Sequence, residues 1–166
     1  MQYHPVVDKI KNLLKDNGAL FETFEHEPVR TSAQAANVRP GYTALQGAKA
    51  IIARVKEPNK GKRFAMFVLA GNKRFDIKKI KNNLGLVDIR FATEQEVIEM
   101  TGGVLPGGVP PFGNLFGLDV FADRSLFDNE KIVFNAGDKS YSIAILSGDF
   151  KKIVNPVVND IMEEDK

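Results

Sequence analysis

Near the N-terminus of this 166-residue chain, apolar residues recur at the spacing of a helix. Four of them share one helical face: Val6, Ile10, Leu13 and Leu14. Pro5 stands where a first helical turn tolerates proline, and Gly18 follows the last turn. The pattern therefore predicts an amphipathic helix over residues 5–17.

Farther along, the pattern changes to alternating and β-branched stretches, which favour strands. Such stretches occupy residues 19–26, 48–55, 62–71, 117–123, 130–137 and 140–146. The turn-like KEPNKGK between the second and third predicts a central hairpin. A short helix is expected to begin near Thr31 or Ser32, and we expect the last residues, 159–166, to be frayed.

Three further helices carry recognisable end signals. Residues 76–85 begin with Asp76 as an N-cap and stop at Gly85, and residues 93–103 begin with a capping box from Thr93 to Glu96. The third covers residues 148–155 and precedes Pro156. Together the elements predict an α+β fold in a single domain, 1–166 with a core of about 5–160, in which helices flank a strongly curved, barrel-like mixed sheet.

Composition narrows the function classes. Apolar residues make up 43% and charged residues 27%, which is ordinary for a folded domain, and the net charge of +2 gives no basic excess of the kind typical of nucleic-acid binders. There is no cysteine and there are two histidines, so cysteine chemistry is excluded and we expect no metal and no cofactor. No segment has the length of a membrane span, which favours a cytoplasmic protein without a membrane partner.

The segment GGVLPGGVPPFG, residues 102–113, is the most unusual stretch of the chain. Glycine and proline exclude a helix interior, so it is a shaped loop. One interpretation is a tight crossover between a helix and a strand. The other is functional: adjacent glycine amides can point one way and bind a developing negative charge.

Few other residues suggest chemistry. Lys49 begins an otherwise apolar strand, where it is either a snorkelling surface cation or a cation placed near a phosphate or carbonyl. His26 follows a strand as a turn cap or a pocket residue, and His4 is expected to cap the first helix. The basic run 73–81 is a solvated helix face or an attractor of phosphate. Neither a P-loop nor a GxSxG serine motif is present.

The motifs occur in an order that resembles the YbaK/EbsC family of aminoacyl-tRNA deacylases, which are related to the insertion domain of bacterial prolyl-tRNA synthetase. The segments that carry the resemblance are FETFEHEPVRTS, GAKAIIARV, GGVPPFG and YSIAILSGDFKKI. The resemblance implies hydrolysis of the ester that joins a mischarged amino acid to the 3′ acceptor end of tRNA. It also implies prolyl-tRNA synthetase as a partner.

Residue roles follow from the same resemblance. The family's lysine falls on Lys49, and its Gly-x-x-x-Pro loop falls on Gly107–Pro111; this copy, unlike Gly102–Pro106, continues into Phe112 and Gly113. The amides of Gly107 and Gly108 would stabilise the oxyanion while Lys49 orients the tRNA end. The expected substrate-binding residues are Phe24, His26, Val29, Pro111, Phe112 and Ser142.

The sequence leaves alternatives open for both the substrate and the class of function. Phe24 and Ser142 stand where the cysteine-editing branch of the family has a tyrosine and an acidic residue, so cysteine, alanine and other small amino acids on tRNA remain open, with Cys- or Ala-tRNA(Pro) favoured. One rival is a non-catalytic tRNA- or synthetase-binding module, and another is a small-molecule hydrolase without an RNA partner.

Overall fold

The computed structural model describes residues 2–28 and 32–164. In these ranges the helices are α1 (Val6–Asp16), α2 (Ser32–Asn37), α3 (Ile77–Leu84), α4 (Glu94–Thr101) and α5 (Ser147–Val154). The strands are β1 (Phe21–Glu25), β2 (Ala48–Lys56), β3 (Lys62–Ala70), β4 (Asp88–Phe91), β5 (Asp119–Asp123), β6 (Lys131–Asp138), β7 (Tyr141–Leu146) and β8 (Val157–Asn159).

The strands form two sheets. The larger is mixed, in the order β4-β2-β3-β5-β8, with β3–β5 and β5–β8 parallel and the other neighbours antiparallel. The smaller is antiparallel, in the order β1-β7-β6. The predicted α+β class is confirmed. Instead of one closed sheet, the strands divide into two that meet at a parallel bridge between Gly47 and Val133.

The larger sheet buries both of its faces. From β3, Met66 and Val68 enter a core shared with α1 and the smaller sheet, whereas Ala65 and Phe67 enter a second core beneath α3. A strand buried on both faces has no polar alternation. This explains why β3 is almost continuously apolar in the sequence.

Local end signals are confirmed where the chain carries them. The Asp76 side chain accepts a hydrogen bond from the Lys79 amide, and Gly85 ends α3 in a left-handed conformation with φ of 64°. The capping box of Thr93 and Glu96 is formed at the start of α4. The His4 ring accepts a hydrogen bond from the Val6 amide at 3.1 Å, as expected of a helix cap.

The expectation of a frayed C-terminal segment is wrong for the described residues up to 164. β8 pairs in parallel with β5, Phe75 bridges to Met162, and the Ile161 side chain is fully buried. The amide of Ile161 donates to Asp123 Oδ1 at 2.9 Å. The acidic residues of this segment gave it the composition of an exposed tail. The partners of its apolar residues lie far away in the sequence, so no local pattern predicted their burial.

Candidate active site

A cavity of about 420 Å³ opens where the two sheets meet. Its walls come from α2 and the loop after it, the start of β2, the glycine–proline loop, and β6 with the turn that follows. The lining residues are Ala35, Arg39, Ala44, Gly47, Ala48, Lys49, Ala50, Ile51, Gly71, Pro106, Gly107, Val109, Asn135 and Lys139. A concave site of this size with a few polar groups is typical of a ligand pocket.

Lys49 lies in this wall, opposite Leu69 in the β2–β3 register. Its ammonium group donates to the carbonyl of Lys73 and, at 3.4 Å, to the carbonyl of Gly71. Burial lowers the pKa of Lys49, and the positive charge of Arg74 lowers it further. The side chain is thus a half-buried cation held by backbone oxygens at the cavity wall.

The glycine–proline loop presents only part of itself to the cavity. Residues Pro106–Gly108 form a 3-10 turn in which the Gly108 amide donates to the Leu105 carbonyl at 2.8 Å. Gly107 precedes this first hydrogen bond of the turn, so its amide has no partner within the turn. Of the two amides expected to bind an oxyanion, that of Gly108 is occupied and that of Gly107 lies in the cavity wall.

The other loop residues lie deeper. Pro111 is buried, and Phe112 is fully buried, with its ring 5.2 Å from that of Phe134 and 5.8 Å from that of Phe150, centroid to centroid. Among the described residues, neither of these two lines the cavity, and their role in binding substrate stays a prediction.

Both glycines of the turn have close neighbours on the Cβ side. A Cβ on Gly107 would lie 2.5 Å from Lys139 Cε, and one on Gly108 would lie 3.3 Å from the Gly137 carbonyl carbon. The Pro106–Gly108 turn therefore packs directly on the end of β6 and on the turn that follows β6. This contact brings Lys139 into the cavity wall.

A polar network fixes the loop to the smaller sheet. Asn135 Nδ2 donates to the carbonyl oxygen of Gly107 at 2.9 Å, and Asn135 Oδ1 accepts from Arg39 Nη2 at 2.9 Å. Arg39 Nε donates to Ser142 Oγ at 3.0 Å. The Gly107 turn is thereby connected to a buried arginine through one asparagine.

The predicted pocket residues of β1 and β7 stand at the other end of this network. Ser142 lies opposite Phe24 in the antiparallel register, and its Oγ is 2.7 Å from His26 Nε2. His26 Nδ1 is 2.9 Å from the Glu27 carbonyl oxygen, which can only accept, so Nδ1 donates to it. Ser142 Oγ in turn donates to Asn135 Oδ1 at 3.2 Å. Ser142 bonds directly to Arg39, whereas His26 reaches Arg39 only through Ser142, and neither they nor Phe24 are among the described residues that line the cavity. Val29 lies outside the described residues.

The charged residues that line the cavity, among those the structure describes, are all cations. Three cations line it, Arg39, Lys49 and Lys139, and no carboxylate is among the lining residues in the part of the chain that the structure describes. Over the same residues no group of three histidine, aspartate or glutamate side chains could hold a metal ion. The cavity is therefore suited to an anionic or strongly polar ligand.

Sequence reasoning missed three residues of this site. Asn135 interrupts the apolar run of β6, and that interruption was a usable signal. Arg39 and Lys139 lie in a loop and a turn, where a charged residue is normal, so nothing in the sequence marked them. Their roles depend on contacts between distant segments.

Comparison with known proteins identifies the family of the chain. Residues 26–153 match the family model described as the aminoacyl-tRNA editing domain. The chain is 32% identical over 145 residues to the multifunctional Ser/Thr-tRNA deacylase ProXp-y of Escherichia coli (strain K12), which covers 87% of this chain and 85% of that protein. It is 27% identical over 119 residues to the proline–tRNA ligase of Ralstonia pickettii (strain 12J), covering 72% of this chain and 21% of the ligase.

A solved structure supports the same fold. A candidate trans-editing enzyme for prolyl-tRNA synthetase superposes with a TM-score of 0.81 at 24% identity, over 98% of this chain and all of its own. The chain belongs to the family of aminoacyl-tRNA editing domains. The expected family, and with it the aminoacyl-tRNA deacylase class of hydrolases, is confirmed. Among the described residues, no helix is both long and apolar enough to span a membrane.

Proposed function

We propose that this protein hydrolyses the ester between a wrongly attached small amino acid and the 3′ end of tRNA, acting in the cavity between the two sheets. The observation that carries the proposal is the convergence of Lys49 and the Gly107 turn on one cavity lined by cations and free of carboxylates among its described residues. A tRNA acceptor end brings phosphates and a polar ester, which such a cavity attracts.

Hydrolysis of the ester requires few groups from the protein. Water adds to the ester carbonyl carbon, the bond to the ribose 3′ oxygen breaks, and a proton from the water ends on that ribose oxygen. The Gly107 amide is the donor for the oxyanion, because the Gly108 amide already donates to Leu105. Lys49 orients the terminal phosphate or ribose, and the ribose 2′-hydroxyl assists the attacking water.

The substrate we propose is tRNA carrying a small amino acid that a synthetase selects poorly, since one methylene is worth only about 1–3 kcal/mol in discrimination. The sequence favoured cysteine or alanine on tRNA(Pro). The similarity to a Ser/Thr-tRNA deacylase adds serine and threonine to that set. Prolyl-tRNA synthetase is the proposed partner, supported by the similarity to a proline–tRNA ligase.

The direct test is release of labelled amino acid from Cys-, Ala-, Ser- and Thr-tRNA by the wild type and by Lys49→Ala. We expect the variant to lose at least about tenfold in kcat/KM, the effect of losing one charged hydrogen bond of about 1.5–3 kcal/mol. Thermal unfolding should show that it still folds, because the Lys49 side chain is only half-buried.

Two results would contradict the proposal. RNA binding without hydrolysis of any member would favour the non-catalytic binding module, and cleavage of simple esters without tRNA dependence would favour a small-molecule hydrolase. Unfolding of Lys49→Ala would remove the support for its catalytic role.

A further inference from the structure

Arg39 is an unusual residue in this cavity because it is a buried cation with no acidic partner among the described residues. Its side chain is 6% exposed, and no carboxylate among the described residues lies within ion-pair distance. Burial lowers the pKa of Arg39 to about 10, so the guanidinium is still charged at neutral pH. A buried charge is costly unless hydrogen bonds satisfy it, so its position calls for an explanation.

Two of the three guanidinium nitrogens are already used. Nε donates to Ser142 Oγ and Nη2 donates to Asn135 Oδ1. Nη1 makes no hydrogen bond to a described residue. Since no buried side-chain nitrogen in the described part of the chain lacks a partner, Nη1 reaches open space, and Arg39 borders the cavity.

The wall beside Nη1 is kept open by a missing side chain. A Cβ on Gly47 would lie 3.4 Å from Nη1 and 3.3 Å from the Ala44 carbonyl oxygen. Gly47 has φ of −68° and ψ of 129°, an extended conformation that any residue adopts, so its backbone does not require glycine. A methyl group at Gly47 would therefore lie against Nη1 and would also crowd the Ala44 carbonyl oxygen.

Arg39 is also the most deeply placed of the cavity cations, because Lys49 and Lys139 are only half-buried. The lysines are accessible to the phosphates of the tRNA end. A small aminoacyl group is what can reach the buried guanidinium. Alanine, cysteine and serine differ only in the atom at the end of a short side chain, and among them serine offers the strong hydrogen-bond acceptor.

We propose that Arg39 Nη1 donates a hydrogen bond to the side-chain hydroxyl oxygen of the bound amino acid, and that this contact makes serine and threonine the preferred aminoacyl groups over alanine and cysteine. The inference rests on the proposed function and deepens it by naming the specificity-determining residue. Asn135 and Ser142 hold the guanidinium plane, so the direction of Nη1 is fixed before substrate arrives.

The test compares Ser- and Ala-tRNA made on one tRNA, which differ by a single hydroxyl oxygen. We expect wild-type kcat/KM to favour serine by about 10- to 100-fold, the range for one hydrogen bond to a charged group. In Arg39→Lys the preference should fall to near one, because a single ammonium group cannot span Ser142 and Asn135 and also reach the cavity. Arg63→Lys is the matched control: Arg63 pairs with Glu57 and Asp119, away from the cavity.

Gly47→Ala provides a second variant that leaves Arg39 and its two partners in place. The added methyl group covers Nη1, so the ratio of kcat/KM for Ser-tRNA to kcat/KM for Ala-tRNA should fall toward one. An unchanged ratio in both variants, or a wild type that does not distinguish the two substrates, would overturn the role of Arg39.

Binding of non-hydrolysable analogues separates this inference from the proposed function. The probes are 3′-amino-3′-deoxyadenosine carrying serine or alanine through an amide. Tighter binding of the seryl analogue, lost in Gly47→Ala, together with no ester turnover would contradict the deacylase and keep the role of Arg39. Equal binding of the two analogues together with ester turnover would contradict the role of Arg39 and keep the deacylase.

Discussion

Gly107 is the residue on which the proposed chemistry depends most closely. Its carbonyl is held by Asn135 and its Cα lies against the end of the Lys139 side chain. A hydrogen-bond donor aimed at a developing charge works only when its position is fixed before the reaction. We therefore expect the contacts around Gly107 to matter more for the proposed hydrolysis than for stability.

Gly107→Ala should lower kcat/KM by about tenfold or more, since the methyl group would stand 2.5 Å from Lys139 Cε and displace that cation from the cavity wall. The melting temperature should change little, because the displaced atom ends a flexible side chain. Gly61→Ala, at a turn with open space around the added methyl group, is the control and should keep full activity. Equal effects of the two variants would contradict a role for the Gly107 turn.

Asn135→Asp tests the link between the loop and Arg39. Aspartate keeps the oxygen that accepts from Arg39 but loses the Nδ2 donor to Gly107, and it sets a negative charge beside a carbonyl. We expect kcat/KM to fall by about tenfold, because one hydrogen bond to the loop is worth about 1 kcal/mol and the anion repels substrate phosphate. Chemical denaturation should show a retained free energy of unfolding, because the new ion pair with Arg39 offsets the lost bond.

At the scale of the elements, the capping box at the start of α4 makes the stability of the fold depend on pH. Glu96 accepts from the Thr93 amide and forms two hydrogen bonds with Arg90 on β4. The hydrogen bonds from Arg90 and then from Thr93 lower the pKa of the Glu96 carboxyl to about 2. A carboxyl whose folded pKa lies below its usual value stabilises the fold when ionised.

The lowered pKa of Glu96 sets the direction in which stability changes with pH. The contribution of Glu96 is fully present above its usual pKa of 4.5 and is lost as the pH falls toward 2. We expect Glu96→Gln to be less stable than the wild type at pH 7, with the difference shrinking between pH about 4.5 and 2 in urea denaturation. A difference that is constant across this window would show that the capping box acts through its shape alone.

For the molecule as a whole, the C-terminal segment closes the second core. Ile161 is fully buried beside Phe67 and Ile80, and its backbone is bonded at both ends, to Asp123 and to Asp76. This segment reaches the far edge of the larger sheet through β8. None of the described residues of this segment lines the cavity between the sheets.

Ile161→Ala should lower the free energy of unfolding by about 2–4 kcal/mol, the usual cost of removing a buried isoleucine side chain to its Cβ. Val157→Ala, at a half-exposed position of the same segment, should cost less than about 1 kcal/mol. Deacylation by the folded fraction of Ile161→Ala should be unchanged. Near-equal losses in the two variants would mean that the segment is not part of the cooperative core.

Much of the fold was predictable because its signals are local. Asp76, Gly85, Thr93 and Glu96 act on residues within one or two turns, so their helix ends follow from neighbours in the sequence. The central hairpin was predictable for the same reason. β4 and β8 were not, since each is a short strand that is held mainly by a distant partner.

The sequence by itself determined most of the helices and strands, the family, and two of the residues that line the cavity, Lys49 and Gly107. All of these follow from short motifs and from the order of those motifs along the chain. The tertiary structure decided the rest of the site. Arg39 meets residues 96 and 103 positions away, and Asn135 meets Gly107 across 28 positions. Such contacts exist only after β6 and β7 pair and the two sheets meet, since no local preference of an arginine or an asparagine specifies its distant partner.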